Sequence, residues 1–143
     1  MQVQLLKSDT ELDDVASVLL QLRPGYDLAN LKRQIKKQQN MGYQIAYVTT
    51  DNAKVLCVAG FVIGEKLAWG KHIYIDDLVT SETYRSKGAG TLLINWLKDY
   101  ALKMGCQQIH LDSGVQRFPA HRFYLREHFN IASHHFSISH LDA

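Results

Sequence analysis

Val79-Thr80-Ser81-Glu82-Thr83-Tyr84-Arg85-Ser86-Lys87-Gly88-Ala89-Gly90-Thr91-Leu92-Leu93 is the stretch on which the reading of this chain turns. A strand-like run, Ile73-Tyr74-Ile75-Asp76-Asp77-Leu78-Val79, feeds a polar turn, and a glycine-bearing loop then opens into an amphipathic helix. Glycine lets backbone approach a bulky anion because no Cβ stands in the way. The first N–H groups of the new helix point at that anion with no partner inside the helix. Arg85 and Lys87 add positive charge beside them. The segment reads as a site for a pyrophosphate.

Two common nucleotide loops do not fit the spacing. A dinucleotide fingerprint requires Gly-x-Gly-x-x-Gly, and Leu93 occupies the third glycine's place. A Walker A loop puts its lysine after the second glycine, whereas Lys87 precedes both. The pattern Arg85-x-x-Gly88-x-Gly90 after a strand ending in Leu78-Val79 instead resembles the acetyl-CoA loop of the GNAT N-acetyltransferase superfamily. The resemblance implies that acetyl-CoA lies along Leu78, Val79 and Thr80, with its diphosphate on Arg85, Ser86, Lys87, Gly88, Ala89, Gly90 and Thr91. It extends to Ala120-His121-Arg122-Phe123-Tyr124-Leu125-Arg126-Glu127-His128-Phe129, similar to the family's Ala-x-x-Phe-Tyr-x-x-x-Gly-Phe, with His128 where glycine is usual. If that position needs a positive φ, histidine is strained there, though less than a β-branched residue. By the same resemblance Ser113, Ala120, Phe123, Tyr124 and Arg126 complete the cofactor contacts.

Composition agrees with one small enzyme domain spanning residues 1–143. A chain of 143 residues buries roughly two-thirds of its unfolded surface. Hydrophobic residues at 46% and charged residues at 21% are ordinary globular values. Sixteen basic against fourteen acidic residues leave a net charge of only +2, which gives no footing for nucleic acid. Cys57 and Cys106 sit in apolar contexts and match no metal spacing, as expected of reduced thiols. The first 22 residues are amphipathic with acidic side chains, unlike a signal peptide. No apolar run reaches the ~20 residues that span a bilayer. The expectation is a cytoplasmic, soluble protein with no membrane or nucleic-acid partner, and a homodimer is compatible with it.

Hydrophobic periodicity outlines the rest. Val3, Leu5 and Leu6 suggest a first strand. Ser8-Asp9-Thr10 offers N-cap residues for a helix bearing Leu12, Val15, Ala16, Leu19 and Leu20, which Pro24-Gly25 ends. A basic second helix runs from Asp27 to Gln39. Strands follow at Tyr43–Thr49, Val55–Ile63 and Lys71–Thr80, with a turn at Asp51-Asn52 and a break at Gly70. The helix carrying Leu92, Leu93, Trp96, Leu97, Tyr100, Ala101 and Met104 ends at Gly105. Gln107–Asp112 is a fifth strand, Ala120–His128 a short helix, and Phe129–His140 a final pair of strands. The order predicts an α/β fold, a mixed and mostly antiparallel sheet flanked by helices, with a crossover at 73–111. This is the arrangement of the GNAT acyltransferases.

The chemistry follows from what amine acetylation requires. An amine is protonated at neutral pH and must lose a proton before attacking a thioester, and a nearby carboxylate can accept it. Asp76 and Asp77 lie beside the loop, and alternation along a strand lets only one of them face a given pocket. The resemblance favours Asp76 as base, with Asp77 orienting the amine or substituting for it. Tyr124 is the corresponding acid for the departing thiolate; its plainer reading is a core aromatic beside Phe123. Backbone N–H groups near Leu78 and Val79, freed by a bulge there, would serve the oxyanion and the pantetheine arm. No acyl-enzyme is needed, so transfer is direct in a ternary complex and both cysteines are structural.

Seven histidines raise the question of a metal, but none has the i, i+4 spacing of a helical zinc site, and no tightly bound metal is expected. Ala120–Glu127 with Ser133-His134-His135-Phe136 is similar to the end of aminoalkylphosphonate N-acetyltransferases, implying an amine that carries an anion. Arg117, Arg122 and the run from Lys32 to Lys37 could receive it, solvated surface charge being the plainer reading. Three functions remain open at this point: acetylation of a small-molecule amine, acetylation of a protein or peptide, and silent acyl-CoA sensing.

Overall fold

The computed structural model describes residues 1–85 and 87–142, in two compact units, 1–111 and 112–143. The first unit is a five-stranded sheet in the order β1-β2-β3-β4-β5, built from β1 (Gln2–Leu5), β2 (Gln44–Thr49), β3 (Val55–Lys66), β4 (Gly70–Thr80) and β5 (Gln108–Leu111). Neighbouring strands are antiparallel except the last pair, where β4 and β5 run parallel from His72–Gln108 to Ile75–Leu111. A parallel pair cannot be joined by a hairpin, and the long helix α3 (Ala89–Lys103) makes the connection. The mixed, mostly antiparallel sheet matches the expected class.

Leu12, Val15, Ala16 and Leu19 recur at helical spacing on α1 (Leu12–Leu22) and are all nearly inaccessible. They share one core with Leu31 and Ile35 of α2 (Leu28–Gln39) and with Ile45, Tyr47 and Val58 of the sheet. Each such aliphatic side chain contributes about 1.5–3 kcal/mol by leaving water. The helix does not start at the predicted cap. Ser8 precedes a single 3-10 turn, Asp9–Glu11, with its hydroxyl on the Glu11 carboxylate, and α1 begins only at Leu12. The second start was read correctly: Asp27 accepts the Asn30 N–H at 2.8 Å and caps α2. At the far end of α3, Gly105 N–H donates to Leu102 O and Cys106 N–H to Ala101 O, closing the last turn as a Schellman motif.

The second unit contains α4 (Phe118–Arg126), which starts two residues earlier than predicted because Pro119 suits a helix's first turn. It ends as α3 does. His128 N–H donates to Leu125 O and Phe129 N–H to Tyr124 O, and His128 takes the left-handed conformation at φ 72°. The strain expected of histidine at a glycine position is therefore present. The predicted final strands over 129–140 are not found. Ile131, Phe136 and Ile138 are 78–91% exposed and no described residue of that stretch joins the sheet. Alternation of Phe136, Ser137, Ile138 and Ser139 says which side of a strand would be buried. It does not supply the partner edge that makes a strand.

Candidate active site

β3 and β4 pair in register from Cys57–Thr80 to Gly60–Asp77, and again from Phe61–Ile75 outward, so Asp76 is an extra residue with no partner across β3. This is a β-bulge, and its effect is to re-aim a side chain. Regular alternation would put Asp76 and Asp77 on opposite faces. Instead both line one pocket of about 380 Å³, with Leu19, Arg23, Gln34 and Tyr43 among its other walls. The expectation that only one could face a given pocket is thus corrected. The bulge itself lies at Asp76, not at Leu78 and Val79, which stay in register with Ala59 and Val58. What opens the backbone at Leu78 and Val79 is the other edge: β5 pairs with β4 only as far as Ile75.

The two carboxylates are held very differently. Asp77 accepts the Tyr43 hydroxyl at 2.7 Å on one oxygen, and on the other Arg23 Nε at 2.9 Å and Nη2 at 2.8 Å. Arg23 Nη2 also donates to the Asp76 carbonyl at 3.1 Å, tying the bulge to the end of α1. Burial, then the Asp77 charge, raises the Tyr43 phenol far above its ordinary range, so it stays a neutral donor. Gly60, opposite Asp77 in the register, makes this reach possible, since a Cβ there would stand 1.6 Å from the Tyr43 Oη. Asp76 is exposed and lines the same pocket. Burial of its surroundings, then the Asp77 charge, pushes it above the usual carboxylate range, and Arg23 offsets part of that. A carboxylate so placed is a stronger proton acceptor.

At the start of α3, Gly88 is the N-cap at φ 82°. Leu92 N–H donates to Gly88 O at 3.1 Å, so the amides of Ala89 and Gly90 lie upstream of the first bond of the helix. Only glycine adopts the Gly88 conformation without strain, and the space beside its Cα is open. Arg85 and Lys87 are exposed next to it. Positive φ, upstream amides, open space and two cations fit a diphosphate. Ser86 lies outside the described residues. Thr80 and Thr91 sit at the end of β4 and in the first turn of α3.

In the second unit, the Ser113 hydroxyl is buried without a hydrogen-bond partner among the described residues. An unmet buried hydroxyl costs about 1–3 kcal/mol, and a ligand contact would relieve it. Half-buried Tyr124 meets Phe123 and Phe129 edge-on at 5.6 and 5.8 Å. Ala120 and Arg126 lie on the same helix. Three of the seven histidines take packing and hydrogen-bonding places: His110 stacks on Trp69 at 3.5 Å, His72 is buried with Nδ1 on Gly70 O, and His121 Nε2 meets Gly114 O at 2.7 Å. Among the described residues no three His, Cys, Asp or Glu gather as metal ligands would. Lys32 and Lys36 pair with Asp13 and Asp9. Sequence reading missed Arg23, Tyr43 and Gly60. Asp77 lies 54 residues from Arg23 and 34 from Tyr43 along the chain, and no local spacing marks such contacts.

With the fold and site described, known proteins bear on them. Residues 13–129 match the Acetyltransferase (GNAT) family. An uncharacterized N-acetyltransferase, YhdJ, of Bacillus subtilis (strain 168) is 28% identical over 124 residues, 87% of each chain. An aminoalkylphosphonate N-acetyltransferase of Salmonella typhimurium (strain LT2) is 36% identical over 53 residues, 37% of this chain and 34% of that one. An aminoglycoside N-acetyltransferase solved in complex with CoA shares the fold, with a TM-score of 0.81 at 13% identity over 96% of this chain and 92% of the other. The chain belongs to the GNAT acetyltransferase family and is an acetyl-CoA-dependent N-acetyltransferase.

Proposed function

We propose that this enzyme acetylates the primary amine of a small molecule by direct attack in a ternary complex, within a single catalytic domain spanning residues 1–143. The observation that carries the reading is the bulge at Asp76, which turns two consecutive carboxylates into one small pocket. A volume of about 380 Å³ lies at the small-ligand end of the usual range. The family match crosses both structural units, in keeping with one domain.

Bound acetyl-CoA supplies an activated thioester carbonyl. Asp76 accepts the ammonium proton, its raised proton affinity favouring that step. Asp77, locked by Tyr43 and Arg23, orients the incoming nitrogen. Tyr124 returns a proton to the leaving thiolate. The amides of Gly88, Ala89 and Gly90, with Arg85, Ser86, Lys87 and Thr91, hold the diphosphate. Leu78, Val79 and Thr80 border the pantetheine arm along the edge that β5 leaves, and Ser113, Ala120, Phe123 and Arg126 complete the cofactor contacts. Two buried, unpaired cysteines suit a cytoplasmic protein. Among the described residues no helix is long and apolar enough to cross a membrane.

Release of free CoA thiol, followed against polyamines, amino acids, amino sugars, aminophosphonates and peptides, tests the reading. Turnover of at least one small amine is expected. Turnover of peptides alone, or tight CoA binding with no turnover of anything, overturns it in favour of a protein acetyltransferase or a silent sensor.

A further inference from the structure

The charges around the pocket point to a class of acceptor, on the reading that this pocket receives the amine. Two carboxylates, Asp76 and Asp77, face a single cation, Arg23, among the described residues that line it. Arg23 is already engaged, with Nε and Nη2 on Asp77 and Nη2 on the Asp76 carbonyl. The remaining polar walls are neutral: the Tyr43 hydroxyl is committed to Asp77, and Gln34 donates to Gln38 at 3.0 Å. The basic side chains of α2 do not correct the balance, because Lys32 and Lys36 are drawn to Asp13 and Asp9 and neither Arg33 nor Lys37 lines the pocket. Among the described lining residues the pocket therefore carries one uncompensated negative charge.

We infer that the acceptor is a primary amine without any phosphate, phosphonate or carboxylate: an amino alcohol, an unphosphorylated amino sugar or a diamine. Its ammonium group is drawn by Asp76, and hydroxyls or a second ammonium meet the glutamine amides and the residual negative charge. An anionic substituent would be desolvated beside two carboxylates whose charge a single guanidinium only half offsets. In this respect the chain departs from the relative named for aminoalkylphosphonates, which it matches over only 37% of its length.

Matched pairs of acceptors test this on the full chain: glucosamine against glucosamine 6-phosphate, ethanolamine against 2-aminoethylphosphonate, and putrescine against 4-aminobutyrate. In each pair kcat/KM from CoA release should favour the member without an anion by about tenfold or more. Gln34→Lys places a cation in the pocket wall and should narrow or reverse that preference by about tenfold, with the acetyl-CoA KM unchanged. Efficient turnover that favours the anionic members, or a preference untouched by Gln34→Lys, overturns the inference while leaving the small-amine reading intact. No turnover of any pair by protein that binds CoA removes both.

Discussion

In the function proposed, the mouth of α3 and the pocket bordered by α1, α2 and the β4 bulge are the two working ends of this enzyme, and they use glycine for opposite reasons. At Gly88 the requirement is a backbone angle, φ 82°, and the space beside it is open. At Gly60 the angle is ordinary and the requirement is space, because the Tyr43 hydroxyl occupies the position a Cβ would take. The cofactor end is built from consecutive residues and main-chain amides. The acceptor end is built from side chains of α1, α2, β4 and the entry to β2. A local loop can be varied with local consequences. The pocket is a set of mutual dependences, in which Gly60 admits Tyr43, Tyr43 and Arg23 hold Asp77, and Arg23 pins the bulge that presents Asp76.

The largest effect should come from the acceptor end. Asp76→Asn keeps the shape and removes the proton acceptor, so kcat should fall by about 10²–10⁴-fold with acetyl-CoA affinity unchanged by calorimetry. An unaltered kcat would assign the base elsewhere and leave the cofactor end untouched. Gly60→Ala reaches the same carboxylates indirectly. It must displace Tyr43 and release Asp77, and kcat should drop by about ten- to a hundredfold at constant acetyl-CoA KM. If the acetyl-CoA KM moved instead, the separation of the two ends would be wrong.

Gly88→Ala acts at the other end. A non-glycine residue at that φ carries about 1–2 kcal/mol of strain, which the loop sheds in the free chain and must take up again to bind, so acetyl-CoA should bind about five- to thirtyfold more weakly, with kcat at saturation largely kept. Loss of kcat alone would break the comparison from this side.

The smallest effect concerns stability. The Asp76 carboxyl is raised in the folded chain, so the folded state binds its proton more tightly than the unfolded one does. The stability that this proton contributes is fully present below the unfolded value of about 3.9 and is lost as pH rises through the folded value. Ionised Asp76 is therefore a cost at neutral pH. Asp76→Asn should raise Tm slightly at pH 8, and the gain should shrink as pH falls toward about 4. A gain independent of pH would point to packing rather than charge.

The features legible in sequence were those written in neighbouring residues. The start of α2 near Asp27, Gly105 as a helix end, the Gly88-Ala89-Gly90 loop and the positive φ at His128 each follow from a few consecutive positions. Where reading failed, a partner was needed that spacing does not name. Phe129–His140 has the alternation of a strand and pairs with none among the described residues. The bulge moved from Leu78 and Val79 to Asp76 because β3 and β4 must both stay paired on either side of it.

The amino-acid order alone determined the helix ends at Gly105 and His128, the glycine loop before α3 and the pair of adjacent acids, since each depends on local backbone preference and chemical type. The fold decided what those acids do. It made Asp77 a fixed group and Asp76 a free one, through Arg23 and Tyr43 brought from 54 and 34 residues away. Which carboxylate accepts a proton is an electrostatic question, and electrostatics depends on distances in space that no count along the chain contains.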